Sequence, residues 1–514
     1  MSSPDFVLPE EMSIEGARDA MESALDARWG PLRRGDCTFY DTFDGRLYAA
    51  GLSLVYEHEQ LALVELESGV VRARMRTAAP VRPLSAGDLD AGALRQALAP
   101  IIDVRALLPL AQLEIAERGL ALLDGDGKTV VRASLSQPVV LGGPTERPEL
   151  PPRLALTGVR GYDDELGHVR RVLERELGFR PAAQPLVAEA VTAAGGAPGG
   201  ISSRIDAAIR YEERADSAVV AVLKRLLEVI EANLEGTIAD LDPEFLHDLR
   251  VSVRRSRSVQ DELRGVFPPA ELAHYRAEFR WLAQITGDPR DLDVHVLQFD
   301  EYRRRLPDAK YAELDPLLEV LRVRRRDERD QMVLALTGER AASLLSGWAL
   351  FLSGVEAMPD DSRPDAARPI GELTGERIRK AYERLLRMGG AIDEASPAEA
   401  YHDLRKKGKQ LRYMLELFAV QLHPGHGVTQ MLRALKGIQD TLGRHQDREL
   451  QAAMLTALSD EVARLPSGPR ALMATGVLVE RLGEQALDAR RDFAERFATF
   501  ASQRQRQLLK QTFG

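Results

Sequence analysis

The stretch HDLRVSVRRSRSV, residues 247–259, returns as HDLRKKGKQLRYM at residues 402–414. Both copies space basic residues as a helix would. On an α-helix started at His247, Arg250, Arg254 and Arg257 fall at about −60°, −20° and −80° around the axis. His402, Arg405, Lys409 and Arg412 repeat those angles, so each copy predicts one narrow cationic stripe. At about 1.5 Å rise per residue a stripe runs roughly 15 Å, enough for several adjoining phosphates and more than one small substrate needs. The spacing points to a linear polyanion as partner.

A second shared block tests whether the first is chance. Residues 280–294 read RWLAQITGDPRDLDV and residues 436–450 read KGIQDTLGRHQDREL, placing Arg280 over Lys436, Gly287 over Gly443 and Asp291 over Asp447. The two blocks differ in offset by a single residue, so a unit of about 155 residues has been duplicated. Duplicated units commonly pair about a pseudo-two-fold axis, and such an axis would bring both stripes onto one central groove. Arg280 and Lys436 either extend that groove or pair with carboxylates. Asp291 and Asp447 read as helix caps or as anchors for arginines. No carboxylate–histidine set here has metal-ligand spacing, so no metal and no cofactor is expected. His423-Pro-Gly-His426 reads as a turn on the same grounds.

Composition bounds the rest. A chain of 514 residues can bury about three ordinary domain cores. With 44% hydrophobic, 29% charged and 5% aromatic residues it is globular and helix-leaning, which excludes wholesale disorder. A lone Cys37 excludes an internal disulfide framework and fits a reducing cytoplasm. MSSPDFVLPEEMSIEG lacks the basic flank and apolar core of a secretory signal, and the uncharged run between Arg340 and Glu356 is too short to span a bilayer. The net charge of −10 argues against a general nucleic-acid coater, yet residues 247–257 carry four arginines against one aspartate and residues 402–412 five Arg or Lys against one. Basic charge is concentrated in the stripes and acidic charge lies elsewhere.

The chain changes period near residue 190. Alternating apolar residues at 52–56, 61–66 and 70–75, with the turn Asp124-Gly125-Asp126-Gly127, predict an α+β domain with an antiparallel sheet. Residues 163–178 switch to helical spacing and end on Gly178, a left-handed cap. TAAGGAPGG at 192–200 reads as a linker. Beyond Ile201 nearly every segment is helical, and PDDSRPDAARP at 359–369 divides the two repeats as a connection between bundles. The Arg322, Arg324, Arg325, Arg326 run, followed by Asp327 and Glu328, reads as a solvated helix face, with guidance of the polyanion as the lesser alternative.

The repeated blocks resemble the CHAD family, the conserved-histidine alpha-helical domain, over about residues 201–514. That family's H-x-L-R-(x3)-[RK]-(x2)-R helix is matched twice, at His247, Arg250, Arg254 and Arg257 and at His402, Arg405, Lys409 and Arg412. Its later L-G-(x2)-R-D turn is matched at Gly287, Arg290 and Asp291 and at Gly443 and Asp447, while Thr286 and Gln446 depart from it. The resemblance implies two pseudo-symmetric helical bundles, halves at about 201–358 and 370–514, that bind inorganic polyphosphate through these residues with Arg280 and Lys436. Residues 1–190 resemble a CYTH domain, the triphosphate-tunnel fold, at 39–57 and 159–179. The E-x-E-x-K, the L-R-x-R strand and the late acidic pairs of working members are missing; the strand here reads Leu54-Val55-Tyr56-Glu57. The resemblance therefore implies a degenerate, non-catalytic domain, since in-line hydrolysis needs carboxylates that hold metal.

Three readings follow. The first is a cytoplasmic polyphosphate binder, with granule association left open. The second is a metal-dependent triphosphatase in the N-terminal domain. The third is a binder of nucleic acid or another polyanion, less well matched because the motif helices offer only Tyr413 for base stacking. His247 and His402 either face the ligand, donating when neutral and gaining charge below a pH of about 6.5, or make structural hydrogen bonds at the helix start. Membrane partners are not expected, and oligomeric state is left open.

Overall fold

The computed structural model describes residues 6–514 apart from 79–81, 143–146, 308–310 and 394. The chain divides into two compact units, Met1–Ser202 and Ser203–Gly514.

The first unit is built on one antiparallel sheet. Its strands are β1 (Phe6–Val7), β2 (Ala27–Thr42), β3 (Leu52–Glu57), β4 (Gln60–Glu65), β5 (Val71–Arg76), β6 (Leu107–Leu123), β7 (Thr129–Leu141), β8 (Arg153–Gly158) and β9 (Arg180–Pro181). They pair in the order β5-β4-β3-β2-β6-β7-β8-β1-β9. The Asp124–Gly127 turn joins β6 to β7 as its residues require: Gly127 adopts φ +73°, and the Asp124 carboxylate accepts from the Asp126 and Lys128 amides at 3.0 and 2.8 Å.

Helices α1 (Ile14–Ala24), α2 (Arg46–Ala49), α3 (Ala93–Ile102), α4 (Asp163–Arg175) and α5 (Leu186–Ala193) complete the unit. Leu166, Val169 and Leu173 of α4 share a core with Leu120, Val131 and Leu154. Gly178 ends this segment at φ +72°, with the Phe179 amide donating back to the Leu173 carbonyl at 2.9 Å. The glycine run expected to be a linker is packed instead. Gly200, at φ +70°, lies so close to residue 43 that a Cβ would stand 2.2 Å from the Phe43 carbonyl, and the Ile201 amide donates to that oxygen at 3.0 Å.

The second unit is all-helical among the described residues. In its first half are α6 (Ala215–Ile238), α7 (Pro243–Glu262), α8 (Pro269–Ile285), α9 (Gly287–Leu297), α10 (Phe299–Arg304), α11 (Asp315–Leu336) and α12 (Glu339–Gly354). The second half holds α13 (Ile370–Gly390), α14 (Ala398–Met414), α15 (Val420–Leu422), α16 (His426–Ala457), α17 (Ser459–Ala463), α18 (Gly468–Phe500) and α19 (Gln503–Phe513). No described helix is long and apolar enough to cross a membrane.

The repeat is visible in how the motif helices start. Asp242 caps α7 by accepting from the Glu244 and Phe245 amides at 2.8 and 3.3 Å, and Pro243 takes the first position, where its missing N–H leaves no orphan. α14 begins directly after Pro397. His247 and His402 are each the fifth residue of their helix, one turn in, so neither begins a helix. The expected glycine turns are also helical: Gly287 opens α9 directly after α8, and Gly443 sits inside the unbroken α16.

The two halves share their cores. One core joins Leu249 and Val253 of α7 with Leu404 and Leu411 of α14 and Phe493 of α18. Another joins Leu292, Leu317 and Leu321 with Leu455, Leu478 and Leu482. The acid-rich connection is pinned rather than loose. Arg363, fully buried, bonds the equally buried Asp216 at the start of α6 at 3.1 Å and also donates to Asp360 and the Met358 carbonyl.

Two glycines of this unit have opposite surroundings, and stability should follow. A Cβ at Gly236 would meet the Phe245 ring at 2.3 Å, whereas nothing lies within 4 Å of one at Gly443. Gly236→Ala should cost about 1–3 kcal/mol by overpacking. Gly443→Ala should stabilise by up to about 1 kcal/mol through helix propensity. Urea titrations followed by far-UV circular dichroism check the signs; a stabilised Gly236→Ala would contradict this packing.

Candidate functional site

The apolar residues Leu249 and Val253 draw one face of α7 into the core, and Leu404 and Leu411 do the same for α14. The cationic stripes are thereby left on the faces that flank the core. His247, Arg250 and Arg254 of α7 line one hollow of about 790 Å³ together with Arg405 and Lys409 of α14. An adjoining hollow of about 530 Å³ is lined by Arg254, Arg257, Arg405 and Lys409, joined by Lys406 and Lys407. Arg254, Arg405 and Lys409 belong to both. Cations from the two repeats therefore meet in one place.

His402, Arg412, Arg280 and Lys436 line neither hollow. His402 is held by Gln446, with 2.5 Å between Nδ1 and Oε1. Arg412 donates to Gln439 at 3.0 Å and pairs with Glu416 at 3.1 Å. Arg280 and Lys436 are exposed, Arg280 being near enough to Arg257 for their charges to oppose. Asp291 and Asp447 both line the larger hollow from within α9 and α16, so neither caps a helix. Asp447 instead anchors Arg405 at 3.2 Å.

The histidine pair shows both the duplication and its divergence. Arg290 stands in the first half where Gln446 stands in the second, and each contacts the Nδ1 of its half's histidine. Arginine can only donate, so at 3.1 Å the His247 Nδ1 must accept, which puts the proton on Nε2. Protonating Nδ1 would break that contact. With this tautomer the Nε2–H of His247 is a donor, while Nδ1 makes a structural contact with Arg290.

The cations of the larger hollow are unequally neutralised. Arg290 pairs with Glu244, Arg324 with Glu461 and Arg405 with Asp447. Arg250, Arg254 and Lys409 have no carboxylate within ion-pair distance among the described residues. Arg250 donates to the Ala283 carbonyl and Thr286 hydroxyl at 3.0 and 3.1 Å, and the buried Arg254 Nε makes no hydrogen bond. Burial, with Arg254 beside it, pushes Arg250 down to about 10, still charged at neutral pH. Burial and then the charges of Arg405 and Arg254 push Lys409 down to about 7, against which Asp447 gives only partial relief.

Four of these residues escaped the sequence pattern as site members: Arg290, Arg324, Lys406 and Lys407. The lysines were visible in the charge excess of residues 402–412. Arg324 had no local signal, because only the packing of α11 brings the supposed solvated face to the hollow. Among the described residues no group of three His, Cys, Asp or Glu converges as a metal site.

The family model described as "CHAD domain" matches residues 221–456, a span that contains both stripes. This stretch is a CHAD domain. Two uncharacterized proteins from two strains of Mycobacterium tuberculosis are each 29% identical to the chain over 208 residues, covering 39% of it and 38% of their own length. The chain thus matches well under half of these curated relatives. Among solved structures, the CHAD domain from the plant Ricinus communis is similar at 25% identity and TM-score 0.47, covering 57% of this chain and 96% of that one. PptA from Streptomyces chartreusis is similar at 17% identity and TM-score 0.43, covering 55% and 99%.

The crowding of Lys409 in the CHAD domain is directly measurable. With lysines carrying isotope-labelled methyl groups, the Lys409 signal should titrate with a midpoint near 7, far below the ordinary lysine range. Arg254→Ala should raise that midpoint. A Lys409 midpoint in the ordinary lysine range would show that its charge is not opposed.

Proposed function

We propose that the CHAD domain binds inorganic polyphosphate in a basic groove formed by the two adjoining hollows. One observation carries the reading: Arg250, Arg254 and Lys409, drawn from both repeats, crowd one hollow with no described carboxylate in ion-pair contact, and burial disfavours charge on two of them. Such a cluster gains from an anion that satisfies all three at once, through charge-assisted hydrogen bonds that are stronger than neutral ones. A chain of phosphates supplies that charge along the length of the stripes, with no base to need an aromatic platform. His247 would donate from Nε2 in its neutral form.

The N-terminal sheet is read, with its CYTH resemblance, as a non-catalytic companion. The pairing of Arg72 with Glu65, and the sharing of Glu114 by Arg34 and Arg147, supports this, since these arginines are engaged with carboxylates at the surface. A cytoplasmic location goes with the reading, at or apart from polyphosphate granules; the free thiol of Cys37 supports a reducing compartment.

Titration of the full chain with long-chain polyphosphate, triphosphate and single-stranded RNA at one fixed salt concentration tests the proposal. Long-chain polyphosphate should bind most tightly, and its affinity should fall steeply with added salt. Arg250→Ala with Arg254→Ala, or Arg405→Ala with Lys409→Ala, should each weaken it roughly a hundredfold or more, two charged hydrogen bonds being worth about 1.5–3 kcal/mol each. Unchanged affinity in both double variants would overturn the assignment.

The pH dependence has a definite sign. A bound anion raises the Lys409 pKa above its free value of about 7, so binding takes up a proton and affinity falls as pH rises through that value. Below it Lys409 is already charged and this dependence disappears. Lys409→Arg should remove the Lys409 contribution while leaving any titration of the ligand itself. An identical pH profile in that variant would exclude Lys409 as its source.

A further inference from the structure

The two hollows share three cations but differ in everything beyond them. On the far side of the smaller one stand Arg257, Lys406 and Lys407 against two carboxylates, Asp261 and Asp403. Asp261 is already held by Arg276, which does not line the hollow, so this side keeps a cationic surplus. Beyond the shared cations in the larger one, Arg250, Arg290 and Arg324 face three carboxylates, Asp288, Asp291 and Glu328, while Asp447 is bound to Arg405 of the shared set. Two of those three arginines are bound to further acids, Glu244 and Glu461. The rest of that wall mixes apolar Leu292, Leu450, Met454 and Leu458 with His247, His295 and Gln451. A polyanion continuing past Lys409 into this hollow would meet the like charge of its carboxylates. Leaving through the smaller hollow, it would meet lysines and arginines.

The ligand's own charge density makes the same distinction. Each internal phosphate of a linear chain carries one negative charge, whereas a terminal phosphate gains a second above a pKa of about 6. The shared set, Arg254, Arg405 and Lys409, with Arg250 beside it, gathers four cations against the one carboxylate bound to them, Asp447. The most highly charged group of the ligand matches it.

Resting on the reading of the site as a polyphosphate groove, we propose that the protein takes polyphosphate by a chain end. The terminal phosphate sits at Arg254, Arg405 and Lys409 beside the acid-rimmed wall, and the chain leaves past Arg257, Lys406 and Lys407. The site is then a one-ended socket, and a linear chain offers it two places however long the chain is.

Stoichiometry separates this from binding along the chain. The full-length protein is mixed in excess with size-fractionated inorganic polyphosphate of short, intermediate and long mean length, and the complexes are sized by light scattering coupled to gel filtration. The expected result is at most two proteins per chain at every length above the shortest. Protein number rising in proportion to chain length would overturn end recognition while leaving polyphosphate binding intact. Absence of binding at every length would overturn both. A paired variant, Lys406→Ala with Lys407→Ala, should lower affinity for long chains at least tenfold and change triphosphate affinity less than twofold. Equal losses for both ligands would place the chain's exit elsewhere and overturn the proposed direction.

Discussion

The apolar seam between α7 and α14 is the constraint on which the rest of the second unit depends. Leu249, Val253, Leu404 and Leu411 are buried in a common core, each contributing about 1.5–3 kcal/mol relative to exposure. That seam leaves the stripes nowhere to go but toward each other. Like charges a few ångströms apart repel by several kcal/mol at the effective dielectric of a protein surface, so the seam's burial offsets an arrangement that electrostatics alone would separate. Part of the repulsion is relieved where protonation allows it: Lys409 gives up its proton readily, whereas arginine effectively cannot.

The periodicity of the two stripes and the switch from alternating to helical spacing were enough to foresee an antiparallel sheet followed by helices. They also placed His247, Arg250, Arg254, Arg405 and Lys409 where one hollow now gathers them. Local pattern misled where the environment decides. Gly287-Asp288-Pro289 looks like a break, yet Pro289 lies in the first turn of α9, where an amide has no helical partner to lose. The run at 192–200 looks like a tether because glycine serves flexibility and close approach equally well, and here Gly200 serves close approach to residue 43. Arg324 illustrates the same limit, since no neighbour in sequence tells which way α11 turns it.

Duplication has not kept the halves equal. Arg290 and Gln446 occupy matching places beside matching histidines, but one can only donate and the other pairs through its side-chain oxygen. The first half therefore brings an extra cation to the hollow and fixes a neutral imidazole, while the second holds His402 away from it. Unequal halves around a shared centre make a site with a direction, which a strictly symmetric pair could not have.

The cores shared by the two halves also bear on how the chain is made. Residues through Gly354 leave the ribosome carrying Leu223, Leu249 and Val253, whose partners Leu404, Leu411 and Phe493 are not yet synthesised. Until they arrive, the nascent first half exposes apolar surface beside a strongly cationic stripe. Contacts so distant in sequence form slowly, and such intermediates are prone to aggregate. The first half therefore carries its concentrated positive charge, with part of its apolar surface uncovered, until the second half is made.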